Sequence, residues 1–236
     1  MASPCLVTPT TGYDVHVSDL FDILRSSCAE EWAAYTEHAF VKGMADGSLP
    51  EPCFRHYLGQ DYLFLIHFAR AYGLAAYKAE TLEDIRDAAA GLSAIIDVEM
   101  GLHVEFCQDW GMSETEMAAL PEADATLAYT RYVLEKGLQG DLLDLHVALA
   151  PCMLGYAVIG KYLGDDSNTK TENNPYQAWI EMYASQDYQD VAEAEIQTLN
   201  RLMETRGGSG RLASLTKTFR QATRLETAFW EMGMKP

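Results

Sequence analysis

The stretch Val147-Ala-Leu-Ala-Pro-Cys-Met-Leu-Gly-Tyr-Ala-Val-Ile-Gly160 decides how the rest of the chain is arranged. Apart from Tyr156 it has no strongly polar side chain, which is typical of a helix buried on all sides. Pro151 lies in its middle, where proline has no N–H group and crowds the carbonyl group one turn earlier. We therefore expect a helix that is kinked at Pro151, with Cys152 directly after the kink.

Small residues near Cys152 leave space beside its thiol group, among them Ala148, Ala150 and Gly155. This pattern favours a thiol that faces a cavity walled by the remaining helices. Buried cysteine is also common in ordinary cores, where it packs like a small hydrophobic residue. From these residues alone, a reactive thiol and an inert core thiol both stay open.

The composition indicates a folded domain with an acidic surface. The chain has 236 residues, of which 48% are hydrophobic, and this is enough for a substantial core. Its 35 acidic residues outnumber 17 Lys and Arg, so the formal net charge is -18. Nucleic acids and anionic membranes bind clustered cations, and we expect neither as a partner. A neutral or cationic small molecule would not be repelled.

The cysteines and the N-terminal residues bear on the compartment. The five cysteines are widely spaced, at positions 5, 28, 53, 107 and 152, and contain no C-x-x-C pair. They indicate neither a disulfide framework nor a zinc site, which favours a reducing compartment. We see no basic segment followed by an apolar stretch, and no run of 18 apolar residues. We therefore expect a cytoplasmic protein without a membrane span.

Apolar residues recur at helical spacing along most of the chain. No alternating apolar run indicates a strand, and neither a repeat nor a change of composition marks a second domain. We predict an arm over residues 1–17 and one all-α bundle over residues 18–236. The predicted helices cover about residues 19–44, 54–78, 82–110, 114–120, 125–138, 142–164, 175–183, 186–205 and 212–232.

Capping residues mark the start of several predicted helices. Ser18, Thr81 and Asp124 each precede a periodic segment and can accept a hydrogen bond from a free backbone N–H group. Ser113 and Glu116 form the pattern of a capping box. Pro175 is expected at the first position of its helix.

Several polar side chains lie on the predicted apolar faces. Asp61 is surrounded by aromatic residues, and a carboxylate buried there needs a partner. Glu99 and His103 lie four residues apart on one buried stripe, so they could hydrogen-bond to each other or hold a metal. Further candidates, each with an ordinary explanation in the core or at a helix edge, are Tyr129, Tyr183 and Glu226.

Six segments, spread over about residues 20–233, together resemble one known family. They are Phe40-Val-Lys-Gly-Met-Ala-Asp-Gly-Ser-Leu-Pro50, Tyr57-Leu-Gly-Gln-Asp-Tyr-Leu-Phe-Leu65, Glu99-Met-Gly-Leu-His-Val-Glu-Phe106, Leu149-Ala-Pro-Cys-Met-Leu-Gly-Tyr156, Pro175-Tyr-Gln-Ala-Trp-Ile-Glu-Met-Tyr183 and Leu225-Glu-Thr-Ala-Phe-Trp230. In this order they resemble the TenA family, also called thiaminase II. No single segment is specific, but the set is.

The resemblance implies a fold like that of haem oxygenase, an all-α bundle that commonly forms a homotetramer. Members with cysteine after the proline hydrolyse thiamin or its degradation product 4-amino-5-aminomethyl-2-methylpyrimidine. The product is the hydroxymethylpyrimidine used in thiamin salvage. The resemblance therefore implies a small-molecule aminopyrimidine or thiamin as the partner, with no cofactor and no metal.

The resemblance also implies roles for individual residues. Cys152 would be the nucleophile, Glu226 the acid/base at the ring nitrogen and amino group, and Asp61 the residue that binds the aminopyrimidine. Many members have tyrosine where this chain has Phe64, so one hydroxyl is lost and the preferred leaving group stays open. The expected neighbours of the substrate are Phe64, Tyr129, Tyr156 and Tyr183.

These residue types suit the chemistry, because an amino group on a methylene carbon leaves poorly. A thiolate that adds to the ring lets the ring electrons expel the group, after which water adds and the thiol departs. An acid at the ring nitrogen eases the addition, which fits Glu226. If the kink at Pro151 places Cys152 in the first turn of a new helical segment, the free N–H groups and the helix dipole there would favour the thiolate.

Two other functions are compatible with the same bundle. A non-catalytic pyrimidine-binding or regulatory protein would keep the pocket, although the presence of both expected catalytic residues argues against it. An oxygenase, metal-dependent or cofactor-free, would draw on Glu99, His103, His67 and His146. Two-metal bundles use Glu-x-x-His pairs, whereas this chain has one Glu-x-x-x-His pattern.

Overall fold

The computed structural model of the protein describes residues 19–109 and 111–236, and the predicted arm over residues 1–17 lies outside them. The described residues form helices and no strand, which confirms the all-α prediction. A π-helical segment, Ile95–Glu99, joins two of the helices. The α-helices are α1 Leu20–Ser26, α2 Ala29–Thr36, α3 Ala39–Asp46, α4 Glu51–Lys78, α5 Leu82–Ala94, α6 Met100–Asp109, α7 Glu114–Ala118, α8 Asp124–Gln139, α9 Leu142–Asp165, α10 Gln177–Ala184, α11 Gln186–Arg206 and α12 Leu212–Gly233.

Helix α9, which contains the opening stretch of the sequence, is the centre of the bundle. It packs against α8, α10, α11 and α12 and also contacts α2 and α4. By length and composition alone it could cross a membrane, but 89% of its most apolar window is buried inside the bundle. A core helix of this kind passes the same test, so the prediction of a buried helix is confirmed.

Pro151 does not divide α9. The helix continues from Leu142 to Asp165 through the proline, so Cys152 lies in a helix interior, well away from both ends. Cys152 is therefore not in the first turn of a new helical segment, which was the condition for a helix N-terminus to favour its thiolate. Packing from all sides keeps the helix continuous although the proline removes one backbone hydrogen bond.

Two glycines of α9 permit close approach of neighbouring helices. At Gly155, a side chain would collide with the ring of Tyr35 from α2. At Gly160, it would collide with the backbone of Tyr183 in α10. Because glycine has no Cβ atom, both tyrosines reach the middle of the bundle.

The N-terminal part is more divided than the sequence predicts. The single helix expected over residues 19–44 is α1, α2 and α3. The ring of His38 accepts a hydrogen bond from the N–H group of Phe40 at 3.1 Å and so begins α3. Asp19 caps α1 in place of the predicted Ser18, which lies outside the described residues.

The other predicted helix starts are partly confirmed. Thr81 caps α5, and Ser113 forms a complete capping box with Glu116. Asp124 was expected as a cap, but it is the first residue of α8 and makes no capping hydrogen bond. Pro175 precedes the N-cap residue of α10, so its predicted position inside the helix is wrong. The helix predicted over residues 82–110 is interrupted by the π-helical segment.

Candidate active site

Cys152 of α9 and Glu226 of α12 lie together in the interior, although 74 positions separate their numbers in the sequence. They are 6% and 2% exposed, respectively. The two side chains lie close enough for each to shift the pKa of the other. The hydroxyl of Tyr129 in α8 donates a hydrogen bond to Oε1 of Glu226 at 2.8 Å. Glu226 is therefore held by Tyr129 beside the thiol of Cys152.

Burial raises the pKa of Glu226 to about 8. The Tyr129 and Cys152 donors oppose this rise, while the charges of Asp61 and Glu99 add to it. A carboxyl group with this pKa exists in both protonation states near neutral pH. It can therefore accept a proton in one step and return it in another.

The thiol of Cys152 is not a preformed thiolate. Burial raises its pKa well above the ordinary value, and the negative charges of Glu226, Glu99 and Asp61 raise it further. The predicted stabilisation by a helix N-terminus is absent because α9 is continuous at this point. A proton acceptor in contact with the sulfur is consequently required, and Glu226 occupies that position.

Asp61 of α4 lies in the same interior, 3% exposed, with two hydrogen bonds to one carboxylate oxygen. Oδ2 accepts from the hydroxyl of Tyr57 at 2.8 Å and pairs with Nε2 of His103 at 2.7 Å. Oδ1 makes no hydrogen bond to the part of the chain that the structure describes. That oxygen is available to accept from a ligand amino group.

The surroundings of His103 assign its protonation. Nδ1 lies 2.8 Å from the backbone oxygen of Glu99, which can only accept, so Nδ1 carries a hydrogen. Burial alone would lower the pKa of His103, but the hydrogen bond and charge of Asp61, with the charge of Glu99, raise it overall. We infer an imidazolium ion that fixes the Asp61 carboxylate.

Glu99 is a third buried acid, at the end of the π-helical segment. Burial raises its pKa to about 7, and the charge of Asp61 contributes. The hydroxyl of Tyr183 donates to Oε1 of Glu99 at 2.7 Å. The expected hydrogen bond between Glu99 and His103 exists, but it uses the backbone of Glu99 and not its side chain. Among the described residues, no group of three or more potential ligands is arranged to hold a metal.

Aromatic rings accompany each end of this acidic cluster. Near Glu226, the ring of Phe64 lies 4.9 Å from that of Tyr129, centroid to centroid. Near Asp61, the hydroxyl of Tyr156 lies 3.3 Å from that of Tyr57, and its ring lies 4.9 Å from that of Tyr183. A flat heterocycle between the two ends would meet rings and hydrogen-bonding groups together.

The structure thus gathers all seven residues proposed from the sequence, and it adds residues that the sequence reasoning missed. Tyr57 was missed although it lies one turn before Asp61 on the same helical face, a spacing that could have revealed it. Tyr35 was missed as well. Its buried hydroxyl has no hydrogen-bond partner among the described residues, and Glu226 and Cys152 add to the effect of burial in raising its pKa.

The other histidines proposed for an oxygenase do not join the cluster. His146 pairs with Glu195 at 2.8 Å, between α9 and α11. His67 contacts Arg70, Arg131 and Glu122 near the surface. The set of metal-binding residues considered from the sequence is therefore not brought together in the described structure.

Comparison with known proteins gives a consistent picture of the fold. The model of the TENA/THI-4/PQQC family matches residues 25–235. A crystal structure from Silicibacter, named as a TenA family transcription regulator, is 44% identical, with a TM-score of 0.88 over 92% of this chain and 97% of that chain. A TenA homologue from Pyrococcus horikoshii shares the fold at 24% identity, with a TM-score of 0.82.

Sequence relatives include proteins with assigned activities. A Haemophilus influenzae protein named as uncharacterized is 41% identical, over 86% of this chain and 93% of its own length. An aminopyrimidine aminohydrolase of Halalkalibacterium halodurans is 37% identical, over 85% and 89%. A Schizosaccharomyces pombe protein, named as a hydroxymethylpyrimidine/phosphomethylpyrimidine kinase, is 36% identical over 85% of this chain but only 36% of its own length.

Proposed function

The chain belongs to the TENA/THI-4/PQQC family, and from this premise we propose that it is an aminopyrimidine aminohydrolase of the thiaminase II type. It converts 4-amino-5-aminomethyl-2-methylpyrimidine, or thiamin, to the hydroxymethylpyrimidine. The observation that carries the proposal is the buried contact between the thiol of Cys152 and the carboxyl of Glu226. A thiol beside a carboxylate that can take its proton is the arrangement that covalent catalysis needs.

In the first step, the S–H group of Cys152 adds across a carbon–nitrogen double bond of the pyrimidine. The Glu226 carboxylate takes the thiol proton as sulfur bonds to the ring carbon. The resulting carboxylic acid gives this proton to the ring nitrogen. Glu226 therefore ends the step as a carboxylate, as it began. No thiolate has to persist in the buried site.

In the second step, the 4-amino nitrogen supplies the electron pair that expels the leaving group. The pair moves through the ring double bond, the C–N bond of the cationic 5-substituent breaks with both electrons leaving on nitrogen, and an exocyclic methylene forms. The amino group becomes an iminium group, which carries positive charge. The Asp61 carboxylate, held by Tyr57 and His103, faces that charge in the same cluster.

Water then completes the reaction. Its oxygen bonds to the methylene carbon, the electron pair returns to the amino nitrogen, and the Glu226 carboxylate accepts a proton from the water. Glu226 gives this proton to sulfur as the C–S bond breaks, and the resulting carboxylate takes the proton of the ring nitrogen and then releases it to solvent. For the aminomethyl substrate the sum is ammonium plus water giving alcohol, ammonia and one proton, and Cys152 ends as a thiol.

The test is a hydrolysis assay with three substrates: the aminomethylpyrimidine, its N-formyl derivative and thiamin. We expect hydroxymethylpyrimidine as the common product, measured by chromatography. Failure to release it from all three substrates would remove the proposed function. The relative rates decide the preferred leaving group.

The proposal also includes a homotetramer in the cytoplasm that acts without nucleic acid or membrane. The support is the family resemblance for the oligomer, and the scattered thiols and the charge of -18 for the rest. Light scattering of the purified protein tests the oligomer, and a monomer at micromolar concentration would contradict it.

A further inference from the structure

A cavity of about 150 Å³ lies between α5, the π-helical segment, α10, α11 and α9. Its wall includes Glu99, Met153, Met182 and Tyr188. Glu99 connects this cavity with the catalytic cluster, because its backbone oxygen contacts His103, which pairs with Asp61. A water needs about 10–15 Å³ of such space, so this cavity takes an amine or a formamide with room to spare.

Glu99 is the charged group buried in this wall. It is 7% exposed, and its Oε1 accepts from Tyr183 at 2.7 Å. Its Oε2 has no hydrogen bond to any residue that the structure describes. A buried carboxylate with a free oxygen is costly unless a donor or cation satisfies it. The cavity therefore suits a small ligand that carries N–H donors.

Electrostatics connects the cavity with the reacting sulfur. The charge of Glu99 raises the pKa of the Cys152 thiol, after the larger effects of burial and Glu226. Burial raises the pKa of Tyr188, which also lines the cavity, and the charge of Glu99 raises it further. A pyrimidine bound between Cys152 and Asp61 can therefore direct a substituent toward Glu99.

We propose that this cavity is the leaving-group subsite, and that Glu99 binds the ammonium form of the substrate's aminomethyl group. The proposal rests on the proposed function and adds a reason for the choice of substrate. When the C–N bond of an ammonium group breaks, both electrons leave with nitrogen and neutral ammonia departs. Ammonia that leaves in this way takes no proton from the enzyme. A formamide leaving group, in contrast, has to take a proton as it departs.

The cavity also shares part of its wall with a larger groove of about 440 Å³. Gly91, Met153 and Val191 line both. Its charged side chains are paired with one another, Asp87 with Arg201 and Glu195 with His146. Ammonia released beside Glu99 has a short route outward past the flexible side chain of Met153.

The test measures binding of two ligands to inactive protein that carries Cys152→Ser. Adding Glu99→Gln keeps the shape and the acceptor for Tyr183 but removes the charge. We expect it to weaken binding of the cationic aminomethylpyrimidine about 10- to 100-fold, the range for a charge-assisted hydrogen bond. Binding of the neutral hydroxymethylpyrimidine should change less than about threefold.

Asp190→Asn is the matched control, because it removes an exposed carboxylate of α11 outside the cavity. We expect it to change neither affinity by more than about twofold, since exposed charges interact weakly. Equal weakening of both ligands by Glu99→Gln would overturn the subsite, even if the unaltered enzyme hydrolyses its substrates. If the unaltered enzyme hydrolysed none of the three substrates, that result would instead overturn the proposed function.

A second variant tests the cavity without changing charge. Ala94 lies on its wall, and Ala94→Leu replaces its methyl group by an isobutyl group while keeping a good helix former. We expect hydrolysis of the N-formyl substrate to fall about tenfold, a typical effect of filling a small site. The smaller ammonium substrate should lose much less. Equal losses, or none, would contradict the proposal.

Discussion

Cys28 and Cys152 are both buried thiols that pack near α12, yet only one lies in a site. Cys28 is 2% exposed, and its S–H group donates to the backbone oxygen of Leu24 at 3.3 Å. Burial, with a smaller effect of Glu31, raises its pKa to about 11. Cys152 is also buried and its pKa is also raised, but the neighbour that raises it most after burial is the carboxyl of Glu226.

The difference between these two thiols is the group that accepts the proton. A backbone carbonyl accepts a hydrogen bond but cannot take the proton, so Cys28 stays a thiol. A carboxylate whose pKa is about 8 can take it during the reaction. Burial therefore does not distinguish a nucleophilic cysteine from a core cysteine here. The distinguishing feature is whether the neighbour of the thiol is a carboxylate or a backbone carbonyl.

The largest expected effect comes from making the same change at both thiols. Cys152→Ser should lower kcat at least about 10³-fold, because a hydroxyl is a far weaker nucleophile, while substrate still binds. Cys28→Ser should leave kcat within about twofold, since a hydroxyl can also donate to the Leu24 carbonyl. Steady-state kinetics and calorimetric binding measure both. Near-native turnover by Cys152→Ser would remove covalent catalysis.

The next effect tests whether the second acid orients the ring. Asp61→Asn should lower kcat/KM about 10- to 100-fold, with a raised KM, because a charged acceptor for the amino group is lost. Glu195→Gln is the matched control, because Glu195 forms the other buried His–carboxylate pair. It should change stability more than kinetics. Unaltered kinetics in Asp61→Asn would place the substrate elsewhere.

A smaller effect is expected in the pH profile. The Glu226 carboxylate must accept the thiol proton, so kcat/KM should rise about tenfold from pH 7 to pH 9 as the group with pKa about 8 loses its proton. The N-formyl substrate should be used because it has no titrating amine. The groups facing Glu226 are Tyr129 and Cys152, with Asp61 and Glu99 nearby. A rate that falls over this range would show that the acid form is required at the start.

The smallest effect is on stability. The folded-state pKa of Glu226 lies above its unfolded value, so the folded state loses stability as pH rises from about 4.5 to about 8. Glu226→Gln removes that loss. We expect the variant to exceed the unaltered protein by about 1–2 kcal/mol at pH 8, or about 2–8 °C in Tm, and by little at pH 5. Calorimetry at both pH values measures this, and an equal difference at each would contradict the titration.

Much of the fold could be predicted from apolar spacing, because long helices with one buried face give a strong signal. The central helix was clear for this reason, and Thr81 and Ser113 marked two starts correctly. The division between α2 and α3 was not visible, since the histidine that caps α3 resembles any helical residue. The continuity of α9 through Pro151 depends on packing that local propensity does not contain.

The candidate site could be predicted only in part for a different reason. Asp61, Cys152 and Glu226 lie on three helices, and spacing within a helix does not determine which faces meet. The family resemblance supplied that information, whereas Tyr57 and the His103–Asp61 contact came from the structure. The role of Glu99 was hidden because its hydrogen-bond partner, Tyr183, is distant in sequence.

The π-helical segment Ile95–Glu99 determines the direction in which the side chains of the following helix, α6, point. Each added or deleted residue in a helix turns the following residues by about 100°. Deleting one residue here would restore a plain α-helix and rotate the imidazole of His103 off Asp61. Length changes should therefore be tolerated before α5 or around α7 but not within these five positions. The π-helical segment thus sets the rotation of α6 that brings His103 into contact with Asp61.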